Sequence, residues 1–159
     1  MSSSTSRAEA VFFDDLRVGD VVTTRRRTIT EADVSTFANW SWDVNPVHTD
    51  DVASLGTPYG ERVAHGLIGP CLAMGLLSRL DIFEDASYAF LGVDSWSFSK
   101  PLLIGATIHC RAEVTGLREA SSGHAGVVTR ELRLVDAEDQ VVQSGTVTVL
   151  MRKRVGPTP

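Results

Sequence analysis

Two short stretches of the chain carry groups that can hold and activate a water molecule. The first is Asp43-Val44-Asn45-Pro46-Val47-His48, a carboxylate and an imidazole five residues apart. On a straight helix that offset would splay the two side chains by more than a right angle. The Asn45-Pro46 pair changes this, because proline disfavours a helical conformation for the residue before it. A chain that turns there can face Asp43 and His48 into one cavity. The carboxylate would then accept a proton from water while the imidazole orients and polarises its oxygen. The same residues also fit a plainer arrangement, with Asp43 capping a local turn and His48 packing ahead of a helix capped by Thr49 or Asp50.

The second stretch, Tyr59-Gly60-Glu61-Arg62-Val63-Ala64-His65-Gly66, leads into the apolar segment 65–80. Leu67, Ile68, Cys71, Leu72, Met74, Leu76, Leu77 and Leu80 cover nearly every face of a helix, which predicts a buried one. Pro70 lacks an amide hydrogen and is harmless only in a first turn, so the helix is expected to start near Gly66 or Leu67. Free amides and the helix dipole at that point suit a developing oxyanion, and a glycine lets a ligand approach closely. Gly66 as a simple cap and His65 as a satisfied core histidine meet the same pattern.

The elements that must position these groups follow from the rest of the chain. Residues 21–29 read as one strand, and Thr30 as the cap of a short helix running to about Asn39. A second short helix is expected after Thr49 or Asp50, ending at Gly56. Past the apolar helix, residues 89–98, 107–115, 125–135 and 141–151 are strand-like and separated by short turns, which predicts an antiparallel sheet. One long buried helix wrapped by a curved antiparallel sheet is the economical assembly, an α+β fold.

Size and composition bound the alternatives. The chain has 159 residues, enough for one domain with its own core. A net charge of −5 argues against nucleic acid as the main partner. It has no run of eighteen apolar residues, so no membrane helix is expected. Residues 1–10 are polar and read as a disordered tail rather than a secretory signal. Residues 11–153 form the expected domain, and 154–159 a flexible tail. Cys71 and Cys110 match no metal or disulfide spacing and are expected to be buried free thiols in a reducing cytoplasm. Arg25, Arg26 and Arg27 read as a solvated strand edge. His109 and His124 receive no role.

Taken together, the two stretches resemble the MaoC-like acyl dehydratases, the (R)-specific enoyl-thioester hydratases of the hot-dog fold. That family's first signature is approximately Phe-Ala-x-x-Ser-Gly-Asp-x-Asn-Pro-x-His-x-Asp, with Ala or Ser six residues after the His. Here it is matched from Phe37 and Ala38 through Ser41, Asp43, Asn45, Pro46, His48 and Asp50, with Ser54 in the last place. The second, aromatic-Gly-x-Arg-Ile/Val-Ala-His-Gly, is matched by Tyr59 through Gly66, and Trp96 to Pro101 with Gly105 resembles a later strand of the family.

The resemblance implies a single hot-dog domain in which Asp43 and His48 are the catalytic pair and the Gly66 amide grips the thioester carbonyl. Asn45, Pro46, Trp42, Tyr59, Arg62 and His65 would support the site, Arg62 by anchoring its loop. It also implies reversible hydration of a 2-enoyl thioester, with coenzyme A or acyl carrier protein as the substrate's handle and no metal or other cofactor. A homodimer is expected, and the length excludes the double hot-dog form. A hot-dog thioesterase and a non-catalytic acyl-binding or heterodimer subunit are the alternatives. Trp42 departs from the family, which has Gly there. The indole would shift Asp43 or fill part of the acyl pocket, or else pack under the loop and leave the site unchanged.

Overall fold

Four long strands build the sheet, with inside–outside alternation clearest along the last two, in a computed structural model that describes residues 9–154. The remainder of the expected tails, residues 1–8 and 155–159, lies outside the described residues. The strands are β3 (Ser87–Phe98), β4 (Thr107–Glu119), β5 (Ala125–Val135) and β6 (Val141–Arg152). Two short strands, β1 (Val21–Thr23) and β2 (Arg27–Thr28), both pair with β4. All pairings are antiparallel, in the order β1-β4-β5-β6-β3. Ile108, Cys110 and Ala112 of β4 and Leu132 and Leu134 of β5 are buried on the inner face.

Helix α4 (Ile68–Ser78) packs its Ile68, Leu72, Ala73, Leu76 and Leu77 into this core. The architecture is therefore the expected α+β one, a curved antiparallel sheet around one helix. The helix is not buried all round, however: Leu67 is 64% exposed just before it, and Cys71 and Gly75 are exposed along the same face. An apolar residue type alone does not report whether a sheet covers it. Cys71 is accordingly an exposed free thiol, whereas Cys110 is buried, and burial pushes its thiol up to about 12.

Three other elements depart from expectation. Strand 21–29 is broken at Thr24, whose amide donates to the Cys110 carbonyl while its hydroxyl accepts from the Cys110 amide at 2.9 Å. Of the three arginines, only Arg27 lies in a strand, and all three are exposed. β4 continues past Thr115 to Glu119; a register shift against β5 absorbs Thr115, and Gly116 pairs with Thr129. A one-turn helix, α2 (Pro46–Thr49), occupies what read as a helix-breaking stretch. Proline breaks a helix interior but suits its first position, and Pro46 stands there.

Close packing in the sheet uses glycine where a large neighbour crosses. A Cβ on Gly145 would lie 2.3 Å from the Ser95 carbonyl oxygen and equally close to the Trp96 ring. Gly145→Ala is expected to prise β3 from β6 and cost at least about 2 kcal/mol. Chemical denaturation reads this, and an unchanged midpoint contradicts it.

Candidate active site

Local capping folds the segment that carries the acid and the imidazole. Helix α1 (Glu31–Ser41) starts at a capping box between Thr30 and Asp33 and ends at Trp42, which takes a left-handed conformation with φ 63°. The chain reverses there into Asp43. Asn45 is extended (ψ 133°), as the following proline requires, and its side chain accepts from the Val47 amide to cap α2. Asp50 caps α3 (Asp51–Ser54) through the amides of Val52 and Ala53. Ser54, fully buried, donates to the Pro46 carbonyl at 3.2 Å and ties α3 to α2.

These turns bring His48 Nε2 to 4.0 Å from Asp43 Oδ2. His48 Nδ1 lies 2.7 Å from the Val63 carbonyl oxygen, which can only accept, so Nδ1 carries the hydrogen. In the neutral ring Nε2 is then a bare acceptor, and it is the nitrogen beside Asp43. Asp43 Oδ1 accepts from the Asn45 amide at 3.4 Å, and its side chain is 54% exposed. Asp43 thus both caps a local turn and faces His48, so the two sequence readings of that residue coexist.

His65 holds this pair from below. It is buried, its Nε2 donates to the Asp43 backbone carbonyl at 2.8 Å, and its ring stacks on His48 with centroids 3.8 Å apart at 28°. Phe37 packs against its other side at 4.9 Å. Arg62 clamps the loop: Nη1 and Nη2 reach the two Glu31 oxygens at 2.8 and 2.7 Å, and Nε reaches Asp51 at 2.5 Å. That guanidinium hydrogen-bonds Glu31 and holds its carboxyl below the usual carboxylate range, while the same bonds raise Arg62 further. Arg62 therefore ties the loop to α1 and α3.

A cavity of about 420 Å³ opens beside this cluster, lined among others by His48, Tyr59, Gly66, Phe98, Lys100 and Gln143. Asp43 is not part of its lining; it lies beside His48, which is. Helix α4 begins at Ile68, slightly later than the expected Gly66 or Leu67, so Gly66 precedes it by two residues; the Gly66 carbonyl accepts from the Gly69 amide. Its own amide donates no hydrogen bond among the described residues. The Phe98 ring lies where a Gly66 Cβ would contact it at 3.2 Å, so glycine permits the close passage.

Asp43, His48 and His65 each offer a ligand atom within 4.8 Å of the others. Imidazole lone pairs lie in the ring plane, and two nearly parallel stacked rings do not aim them at one point between the rings. That donor set fits a stacked support better than a metal cage.

Trp42 neither fills the cavity nor packs under the loop: it is 88% exposed and lines no part of the cavity. Its position demands positive φ, which accounts for glycine in the family pattern without reference to the substrate. One buried polar contributor escaped the sequence reading, Gln143, which accepts from the partly buried Trp96 indole at 2.9 Å. The available signal was a glutamine on the inward alternation of β6, shared with Gly145, Val147, Val149 and Met151.

Comparison with known proteins gives these groups a context. Residues 15–135 match the family described as MaoC like domain. The chain is 36% identical over 100 residues to Protein MaoC of Klebsiella aerogenes, covering 63% of this chain but only 29% of that protein's length. It is 30% identical over 106 residues to an (R)-specific enoyl-CoA hydratase of Rhodospirillum rubrum, covering 67% of this chain and 71% of the relative. A solved Archaeoglobus structure, described as a monoamine oxidase regulatory protein, superposes with TM-score 0.86 at 28% identity over 94% of this chain and 99% of that one.

Replacing Trp42 by glycine is expected to relieve the left-handed strain and stabilise the fold by about 0.5–1 kcal/mol. Thermal unfolding measures this. A loss of stability would show that the exposed indole makes contacts the isolated chain lacks.

Proposed function

The chain belongs to the MaoC-like dehydratase family, and from that premise we propose that it hydrates 2-enoyl thioesters reversibly to 3-hydroxyacyl thioesters. The observation that carries the reading is the His48 tautomer. With Nδ1–H spent on Val63, the bare Nε2 and the Asp43 carboxylate lie 4.0 Å apart, a gap that one water can bridge. Such a water donates one hydrogen to each group and keeps a lone pair for C3. The free Gly66 amide, at the positive end of α4, would meet the thioester carbonyl and draw electrons from the double bond.

As the C3–oxygen bond forms, the π electrons move toward the carbonyl and give an enolate that the Gly66 amide stabilises. Asp43 takes the proton released by the water. The same pair then delivers a proton to C2, so water is added across the double bond with no change of oxidation state. The reverse sequence dehydrates a 3-hydroxyacyl thioester. Neither direction calls for a metal or redox cofactor; coenzyme A or acyl carrier protein is the substrate's handle. A non-catalytic role had its only sequence support in Trp42, which stands clear of the cavity.

Incubation with crotonyl-CoA tests this through the loss of the conjugated enoyl absorbance. Asp43→Asn and His48→Gln are each expected to lower kcat at least about 100-fold. Variants that hydrate as fast as the parent chain refute the mechanism. Release of free thiol without hydration would instead establish the thioesterase alternative.

The assembly follows from the sheet's open edge. β3 pairs only with β6 among the described residues, and its Tyr88, Phe90, Leu91 and Val93 are 48–61% exposed. A long apolar edge of this kind invites another strand. The exposed stripe of α4 adds a second uncovered apolar face. Both support a homodimer in which two β3 strands meet. Two unpaired cysteines suit a reducing, cytoplasmic setting. Light scattering on the purified chain should give twice the chain mass, and Leu91→Lys with Val93→Lys should reduce it to one. A parent chain of single mass would rule the dimer out.

A further inference from the structure

Among the polar side chains of the cavity that the proposed hydration does not use, Gln143 is the buried one. Gln143 is 1% exposed, on the inner face of β6, and lines the cavity with His48 and Gly66. Its orientation is settled by chemistry rather than by the shape of the amide. The Trp96 indole nitrogen can only donate, and it donates to Oε1 at 2.9 Å. Nε2 is therefore the other end, and it has no hydrogen-bond partner among the described residues. Among the described residues the fully sealed, unpartnered side-chain nitrogens are those of His65 and His109, so Gln143 Nε2 is not sealed. The cavity is where its two hydrogens remain available.

Three elements are shaped around this amide. A Cβ on Gly69 would lie 1.9 Å from Oε1 and 2.9 Å from Nε2, so the amide rests directly on the backbone of α4. Gly145 leaves the space in which Trp96 lies, with a Cβ there 2.3 Å from the indole. Trp96 in turn locks Oε1. Leaving such a donor under an alkyl chain forfeits the hydrogen bond that water otherwise supplies.

We propose that Gln143 selects among substrates by donating from Nε2 to an oxygen carried on the acyl chain beyond the reacting double bond. The ligand class is thus an oxygenated 2-enoyl thioester, with an ether, hydroxyl or carbonyl oxygen on its tail; that it is an enoyl thioester rests on the hydratase reading. Position argues for the tail rather than the thioester carbonyl. Gln143 lies on Gly69, one hydrogen-bonded turn past Gly66, which is roughly 5 Å further on. With the carbonyl held at Gly66, that distance corresponds to an atom three or four bonds down the chain. A plain alkyl tail would cover the donor without pairing it.

Calorimetric binding of two unreactive saturated thioesters separates selection from catalysis. Hexanoyl-CoA and 4-methoxybutanoyl-CoA have tails of equal length and differ by one methylene replaced by oxygen. The parent chain is expected to bind the ether at least about tenfold more tightly. Gln143→Met, of similar volume, should bind the two within about twofold, and Gly69→Ala should do the same by displacing the amide. Equal binding by the parent chain overturns the proposal without any variant, as does failure to bind either thioester. A preference that survives in folded Gln143→Met overturns it too. Equal weakening of both thioesters would place the amide at the shared carbonyl and also refute tail selection. Hydration of crotonyl-CoA, measured alongside, judges the proposed function separately. A chain that prefers the ether yet hydrates nothing loses the hydratase reading and keeps selection by Gln143.

Discussion

The hydrogen bond from His48 Nδ1 to the Val63 carbonyl is the contact on which the site depends. It sets which nitrogen faces Asp43, and it works only because Val63 is itself immobilised. The Val63 amide donates to the Val47 carbonyl at 3.2 Å, and the Ala64 amide to the Leu102 carbonyl at 2.7 Å. Val63 also bridges to Leu103. The acceptor is thereby suspended between the α2 segment and the chain that leaves β3. A second carbonyl, that of Asp43, receives His65 in the same manner. Two main-chain oxygens thus orient two stacked imidazoles, with Arg62 fastening the outer loop to α1 and α3. Backbone acceptors cannot change rotamer, which makes them firm references for a ring whose tautomer matters.

Glycine performs a comparable task on the sheet side of the helix. Gly69 admits Gln143, Gly145 admits Trp96, and a Cβ on Gly126 would fall 2.2 Å from the Phe13 ring. Each pairs an absent side chain with a large one from another element. The second core cluster, around Phe13, Phe83, Val128 and Met151, is sealed this way at one end of the sheet. There the buried Arg130 stacks over Phe83 at 4.3 Å, and burial pushes its guanidinium down to about 10, still protonated at neutral pH.

How much of this was legible depended on the range of the interactions concerned. Local rules predicted the Thr30 cap, the Asp50 cap, the extended Asn45 and the strand 125–135, because neighbouring residues decide each of them. The pairing of Asp43 with His48 was readable from the Asn45-Pro46 break and from the family resemblance. What failed or was missed was non-local. The break at Thr24 is made by Cys110, 86 residues away along the chain. The exposed face of α4 reflects which sides the sheet reaches, something apolar residue types do not encode. Gln143 gains meaning only when Trp96 and Gly69 are set beside it. Trp42 misled for the opposite reason: its departure from the family pattern suggested a pocket effect, while the local demand is only for a left-handed turn.

The strand order has a consequence for how the molecule is assembled. β4, β5 and β6 form a meander in which each strand pairs with the next as soon as it exists. β3 precedes all three in the chain yet pairs with β6, the last. During synthesis it must wait, apolar and unpaired, until about fifty further residues have emerged, a loop closure whose entropy cost precedes any reward. Trp96 and Phe98 travel on that strand, so the cavity has no back wall until β6 is complete. The nascent chain therefore acquires Asp43, His48 and His65 early and the far wall of the cavity last, and the interval is when capture by chaperones or by a neighbouring nascent chain has most to act on.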